Sequence, residues 1–326
     1  MDQVDCTYDV SQCHNENLPW QQQSNTDTPK IAANTSFLFI SYLGTLTHLF
    51  ELWPWVSFSV SMCFLRLTTY FGKDGLPGDQ CHDIMLRRFD GAMSLPDEVK
   101  QTFRDFDEWN SITAAERLAR SDNDPAKQAV ISRRFFDAFH HLSAQHELSR
   151  FAPACLANSN VRVRDCLEKT FAWLNRWDVP FLVVSAGLRE FLVPILEKSG
   201  APLPSNTVLL SNSLEEAAVS VTSPEKVHAL KLVPEFMTRA EGRTQVLLLG
   251  DKPSDCNPLA GLPETPALKI AFLGEPSEEK FEQYLKIFDA VLVGDASMDF
   301  VNCLLDTVSN TVSNTVRDTS DASIMV

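Results

Sequence analysis

The second half of the chain constrains the fold most. From about residue 165, short continuous apolar runs alternate with stretches patterned for helix. Leu167, Phe171 and Leu174 recur at i, i+4 and i+7 and predict one apolar helix face. Phe181-Leu182-Val183-Val184 follows as a buried strand. Leu188 to Lys198 then reads as a helix with Phe191, Leu192, Ile195 and Leu196 on one side and Gly200 as its stop. Further strands are expected at Thr207–Leu210, Gln245–Leu249, Leu268–Leu273 and Ala290–Val293. Between the last two, Pro276-Ser277-Glu278-Glu279 opens a helix that turns Phe281, Tyr284, Leu285 and Phe288 inward. Strands that are apolar throughout are covered on both faces. Alternation of such strands with helices predicts an α/β, doubly wound, Rossmann-like core. In that architecture ligands sit at the carboxyl ends of the strands.

The chain has 326 residues, enough to bury a sizeable core without disulfides or metal staples. Its 28 basic and 43 acidic residues leave a net charge of −15. That balance argues against binding a nucleic acid polymer, which needs a basic face to release counterions. A small anion is still accessible, because a few amide donors and one cation reverse the potential inside a pocket. The 8 cysteines are irregularly spaced with no Cys-x-x-Cys, so they read as free thiols in a reducing, cytoplasmic setting. The Cys-His pairs at 13–14 and 81–82 lack a second pair at ligand spacing for zinc. Acids follow Met1 closely, which does not suit a secretory signal, and residues 1–30 read as a disordered, polar start. The Thr-Val-Ser-Asn repeat at 307–314 reads as part of a polar tail over 307–326.

Residues 31–65 are unusual. Glu51 is their only formal charge, yet Glu51 and Pro54 split the run into pieces too short for a membrane helix of about 20 residues. No membrane span is expected. Phe37-Leu38-Phe39-Ile40 has the composition of a central strand, and an apolar insertion follows it over 42–66. Residues 72–159 are charged and helical; Leu95-Pro96-Asp97-Glu98-Val99 carries the proline and acids of a helix start, and Arg133 to Leu142 is helical.

Two strand ends carry chemistry. Val184-Ser185-Ala186-Gly187 puts a hydroxyl and small residues just before a helix, where backbone amides approach an anion unobstructed. A plain tight turn is the alternative. Leu249-Gly250-Asp251-Lys252-Pro253-Ser254-Asp255 sets two carboxylates four residues apart after a buried strand. That suits a hard cation such as Mg2+. The alternative is that Asp255 simply caps a helix.

Together these ends resemble the haloacid dehalogenase superfamily. "FLVVSAGLREFLVPIL", "VLLLGDKPSD" and "FDAVLVGDASMDFVNCLL" narrow the resemblance to the eukaryotic pyrimidine 5′-nucleotidases, the type III cytosolic 5′-nucleotidases. "CHDIM" at 81–85 and "NVRVRDCLEKTFAWLNRWDVPFLVVSAG" are similar to the segments that enter and leave that family's helical cap. The resemblance implies a core over 36–71 and 160–306 with a cap inserted at 72–159. It implies Mg2+-dependent dephosphorylation of nucleoside 5′-monophosphates through an aspartyl-phosphate. By the same resemblance, Ser185 and the amides of Ala186 and Gly187 would bind phosphate, Asp251 and Asp255 would hold the metal, and Lys226, with Lys231 next, would be the catalytic lysine.

The family's first motif, Asp-x-Asp-x-Thr, is absent. Ser41-Tyr42-Leu43-Gly44-Thr45-Leu46-Thr47 keeps its ending but has Ser41 and Leu43 at the aspartate positions. Met62-Cys63-Phe64-Leu65-Arg66-Leu67-Thr68 keeps its distance to Cys81 but has Met62 and Phe64 there. Three readings are open. Residues 42–66 are foreign to the native coding sequence, or the chain is a catalytically inactive relative that binds a nucleotide or a protein, or another carboxylate such as Asp74 or Asp79 acts instead.

Overall fold

The structure, a computed structural model, describes residues 37–40, 60–63, 67–68, 78–79, 84, 97–112, 114–157, 159–215, 221, 224–243, 245–262 and 265–309. The polar stretch 1–30, both Cys-His pairs and the tail beyond 309 lie outside them.

Seven strands form one sheet: β1 (Phe37–Ile40), β2 (Val60–Cys63), β3 (Phe181–Leu188), β4 (Thr207–Asn212), β5 (Val246–Gly250), β6 (Ala267–Leu273) and β7 (Ala290–Val293). Their spatial order is β1-β7-β6-β5-β2-β3-β4. Strands β2 to β7 pair in parallel, and β1 pairs antiparallel with β7. From β2 the chain steps outward to β3 and β4, then returns to the other side for β5, β6 and β7. The strand order therefore reverses at β2, and a crevice opens at the carboxyl ends of β3, β2 and β5. Phe37–Ile40 was expected as a central strand and lies at the sheet edge instead. Its apolar composition suits an interior strand, but composition does not specify which neighbour a strand finds.

Strand alternation divides the core into two layers. On one face Phe181, Val183, Leu247, Leu249, Ile270 and Leu292 pack against the helices that carry Phe171, Leu196 and Val301. Those helices are α5 (Leu167–Arg176), α6 (Arg189–Lys198) and α9 (299–309). On the other face Leu182, Val184, Leu248, Ala271 and Val291 meet a 3-10 segment (Pro224–Leu232), α7 (Pro234–Arg239) and α8 (Glu278–Leu285). Gly200, at φ 75°, ends the turn after α6 in a left-handed conformation that other residues adopt only with strain. Arg164 is buried before α5: its guanidinium lies 4.3 Å over the Phe272 ring and donates to the Ala296 carbonyl at 2.8 Å. Stacking and charge-assisted bonding make that burial tolerable.

Four helices among the described residues lie between β2 and β3: α1 (Asp97–Ser111), α2 (Ala114–Arg120), α3 (Pro125–His146) and α4 (Ala152–Ala157). Asp124 caps α3 by accepting from the Ala126 amide at 2.9 Å, with Pro125 at the first helical position. An aromatic cluster of Phe106, Trp109, Phe135 and Phe139 joins these helices, and it continues into Leu188, Phe191 and Leu214 of the sheet region. The helical layer thus packs over the carboxyl ends of β3 and β4. No helix among the described residues is long and apolar enough to cross a membrane.

Tyr284 of α8 stacks on Phe288 and donates its hydroxyl to the Asp251 carbonyl at 2.6 Å. Burial, helped by the charges of Asp251 and Asp255, pushes this phenol up to about 12. The proton is held more tightly in the folded state, so the stabilisation is complete below the ordinary value of about 10 and fades as the pH climbs toward 12. In an ultraviolet titration of the folded chain one of the 4 tyrosines should ionise last, and Tyr284→Phe should remove that step. Leu248, fully buried in β5, anchors the second layer. Leu248→Ala is expected to lower stability by about 2–5 kcal/mol, read as a lower urea midpoint at unchanged slope.

Candidate functional site

Ser185 within β3 and Asp251 just past β5 come level with each other. Cys63 of β2 pairs with Val183 on one side and with Leu249 on the other. Ser185 and Asp251 both lie two residues further on, flanking the end of β2. Two inter-strand steps of about 4.8 Å separate them, roughly 9–10 Å at the backbone. A phosphate group and its contacts fit that span.

On the β5 side the organising group is Asp255. It lies in a 3-10 turn (Pro253–Gly261) with no exposure to water. Its Oδ1 accepts from Lys226 Nζ at 2.6 Å, and its Oδ2 accepts from the Asp251 and Lys252 amides at 2.9 and 3.0 Å. Lys226 is itself buried. The ion pair and the two amides together offset the desolvation of the charge. Gly250 makes room for it, since a Cβ there would approach the Asp255 Cβ to 2.9 Å. The two readings of Asp255, cap and metal ligand, thus part: its oxygens are engaged in holding the loop. Lys226 rather than Lys231 makes this contact, and Lys231 is exposed.

On the β3 side, Ser185 Oγ accepts from the Gly187 amide at 3.0 Å, which leaves its own O–H to donate. The Ala186 carbonyl turns the opposite way, as a trans peptide requires, and accepts from Asn212 Nδ2 at 2.8 Å. Asn212 was not singled out from the sequence, nor were Ser211 or Glu190, and Tyr284 was read only as an inward-facing core residue. Ser211 pairs with Ser185 across the strands, and its buried Oγ has no hydrogen-bond partner among the described residues. Glu190, in the first turn of α6, accepts from Ser213 Oγ at 2.6 Å and from the Leu214 amide at 3.0 Å. The available signal was Ser211-Asn212-Ser213, three polar residues directly after an apolar strand.

The half-motifs fare differently. β1, which leads into Ser41 and Leu43, sits at the sheet edge, four strands from β2. β2, which contains Met62, occupies the slot between Ser185 and Asp251. Ser41, Leu43 and Phe64 lie outside the described residues, as does Asp74. Asp79 is buried and accepts from the Asn160 amide at 2.7 Å, tying together the two ends of the helical segment. Cys256 follows Asp255, but burial pushes its thiol up to about 12, so it is no thiolate nucleophile near neutral pH.

A divalent metal is implied by the resemblance, and the residues present do not fit one well. Both oxygens of Asp255 are committed, one of them to an ammonium that a second cation would crowd. Met62 and Phe64 bring no oxygen. No group of three or more His, Cys, Asp or Glu able to hold a metal occurs among the described residues.

Comparison with known proteins supplies the remaining evidence. The 7-methylguanosine phosphate-specific 5′-nucleotidase of Homo sapiens is 28% identical over 180 residues, 52% of this chain and 60% of that protein. Its Drosophila melanogaster counterpart is 29% identical over 156 residues, 45% of this chain and 49% of that protein. These matches thus span about half to three fifths of the relatives' length. A crystal structure of cytosolic 5′-nucleotidase IIIB bound to cytidine shares the fold at a TM-score of 0.62 and 22% identity, covering 83% of this chain and 91% of that one. The sequence profile of the pyrimidine 5′-nucleotidase (UMPH-1) family matches residues 67–309, so the chain belongs to that family of 5′-nucleotidase phosphohydrolases.

Proposed function

We propose that this chain is a nucleotide-binding member of its family that keeps the phosphate cradle and lacks covalent turnover. The observation that carries this reading is the identity of the strand at the switch point. β2 pairs with β3 on one side and β5 on the other, and it carries Met62, with Phe64 two residues on, at the positions where the family's two aspartates are expected. Neither a thioether nor a phenyl ring at the next position attacks phosphorus or shuttles a proton. The two-sided pairing also supports the reading that 60–63 is part of the native core.

Ser185 and the loop Ala186-Gly187 would take the phosphate oxygens, with the start of α6 favouring negative charge. Lys226 would bring the positive charge to the pocket through its place on Asp255. The helical layer at 97–157 would act as a cap that excludes water and reads the base. The ligand class is a nucleoside 5′-monophosphate. The relatives' names and the cytidine complex support a pyrimidine or a 7-methylguanosine base, and they support a cytoplasmic location. Among the described side chains of the site Mg2+ would meet Asp251.

Purified chain should release no phosphate from CMP or UMP above an Asp251→Ala control. CMP at about 100 times its dissociation constant should nonetheless stabilise the chain by about 2.7 kcal/mol, seen as a rise in melting temperature. Phosphate release that disappears in Asp251→Ala would overturn the inactive reading; no shift at millimolar CMP would overturn the nucleotide reading. Millimolar Mg2+ without nucleotide should leave the melting temperature unchanged, whereas a rise abolished by Asp251→Asn would restore a metal site. Lys226→Met strands a buried carboxylate and should cost about 3–5 kcal/mol in urea denaturation. Adding Asp255→Asn to it should recover part of that loss, and a strictly additive pair would show that the ion pair does not hold the loop.

A further inference from the structure

We infer that Asn212 is the positioning residue that makes the phosphate loop and the lysine segment one unit; the inference rests on the nucleotide-binding reading above. Asn212 ends β4 and is buried, at 3% exposure. Its Nδ2 donates to two carbonyls, that of Ala186 at 2.8 Å and that of Val221 at 3.0 Å. Its Oδ1 accepts from the Val221 amide at 2.6 Å. One side chain therefore holds the peptide next to Ser185 and both polar groups of Val221. Val221 stands five residues before Lys226, upstream of the 3-10 segment Pro224–Leu232.

The consequence for the pocket is geometric. The Ala186 carbonyl, pinned by Asn212, sends the Gly187 amide to Ser185 Oγ. The hydroxyl is thereby set as a donor toward the crevice. Lys226 is set from the other end by Asp255. Without Asn212 the loop between β4 and the lysine loses the bonds that register it against the phosphate loop. Phosphate affinity then falls because its donors no longer converge. A buried amide that makes three hydrogen bonds to backbone has no substitute of equal reach.

The molecule carries its own control. Asn206, at the opposite end of β4, is also buried and also donates to two carbonyls, those of Leu174 at 3.1 Å and Val179 at 2.6 Å. Among the described residues it has no hydrogen bond to Ser185-Ala186-Gly187 or to Val221, so a purely structural role of such an amide is measured there.

The test compares Asn212→Ser and Asn206→Ser by calorimetric titration with CMP, alongside their melting temperatures. Both variants should melt lower than the parent chain. Asn212→Ser should weaken CMP binding about tenfold or more, the equivalent of one lost hydrogen bond. Asn206→Ser should stay within about twofold. Equal affinities for the two variants would overturn the inference, and so would equal losses. Failure of the parent chain to bind CMP would instead overturn the nucleotide reading itself. Hydrogen exchange on the unmodified chain gives a result even if Asn212→Ser does not fold. CMP should slow exchange at the Gly187 and Val221 amides together, and protection of Gly187 alone would show that the two segments are not coupled.

Discussion

A carboxylate without access to water has to find a cation and hydrogen-bond donors at contact distance, and Asp255 obtains them from separate parts of the chain. Lys226 comes from the segment after β4, and the amides of Asp251 and Lys252 come from the turn after β5. Removing any of these leaves a buried charge uncompensated, so the three stretches are held in one arrangement. Gly250 follows from the same constraint, because the close approach of the Asp255 Cβ leaves no room for a side chain. The use of Asp255 as an anchor also limits what the site can bind, since oxygens committed to an ammonium and two amides are poor ligands for a second cation.

The sheet places this anchor where it matters. β2 marks the reversal of strand order, and Ser185 within β3 and Asp251 just past β5 flank it at the same level. The parallel core needs only apolar residues of suitable size in β2, and Val60-Ser61-Met62-Cys63 meets the pairing demands on both sides. Hydrolytic chemistry demands more, namely carboxylates at the strand's end. Fold and turnover therefore make separate demands on β2: the forces that retain the core are indifferent to whether a carboxylate stands at its end.

Much of the fold was legible because its strands are uniformly apolar and its helices are one-sided. Ala290–Val293 falls as read, Val246–Gly250 is shifted by one residue, and Ala267–Leu273 starts one residue earlier. Strands β3 and β4 run further than their apolar runs, because pairing resumes after hydrophobic side chains stop: Ser185 pairs with Ser211 and Leu188 with Asn212, across a bulge at Ala186-Gly187. Those extensions hold the hydroxyl and amide groups of the site, so the least hydrophobic part of each strand carries its chemistry. Phe37–Ile40 was misplaced for the converse reason: its composition indicates burial but not an edge position or an antiparallel neighbour. Asn212 escaped notice because a polar residue after a strand looks like an ordinary turn until its three partners are known.

By itself the sequence determined the α/β class, the family resemblance, Ser185 and Asp251 as strand-end residues, and the want of an Asp-x-Asp pair. These follow from local periodicity and from residue identity, which need no knowledge of distant neighbours. Only the tertiary structure decided which half-motif stands at the switch point, which lysine meets Asp255, and which side chain joins the phosphate loop to Val221. Each of those depends on contacts between segments 26 to 29 or more residues apart, and pairing at that range is set by how the whole core packs.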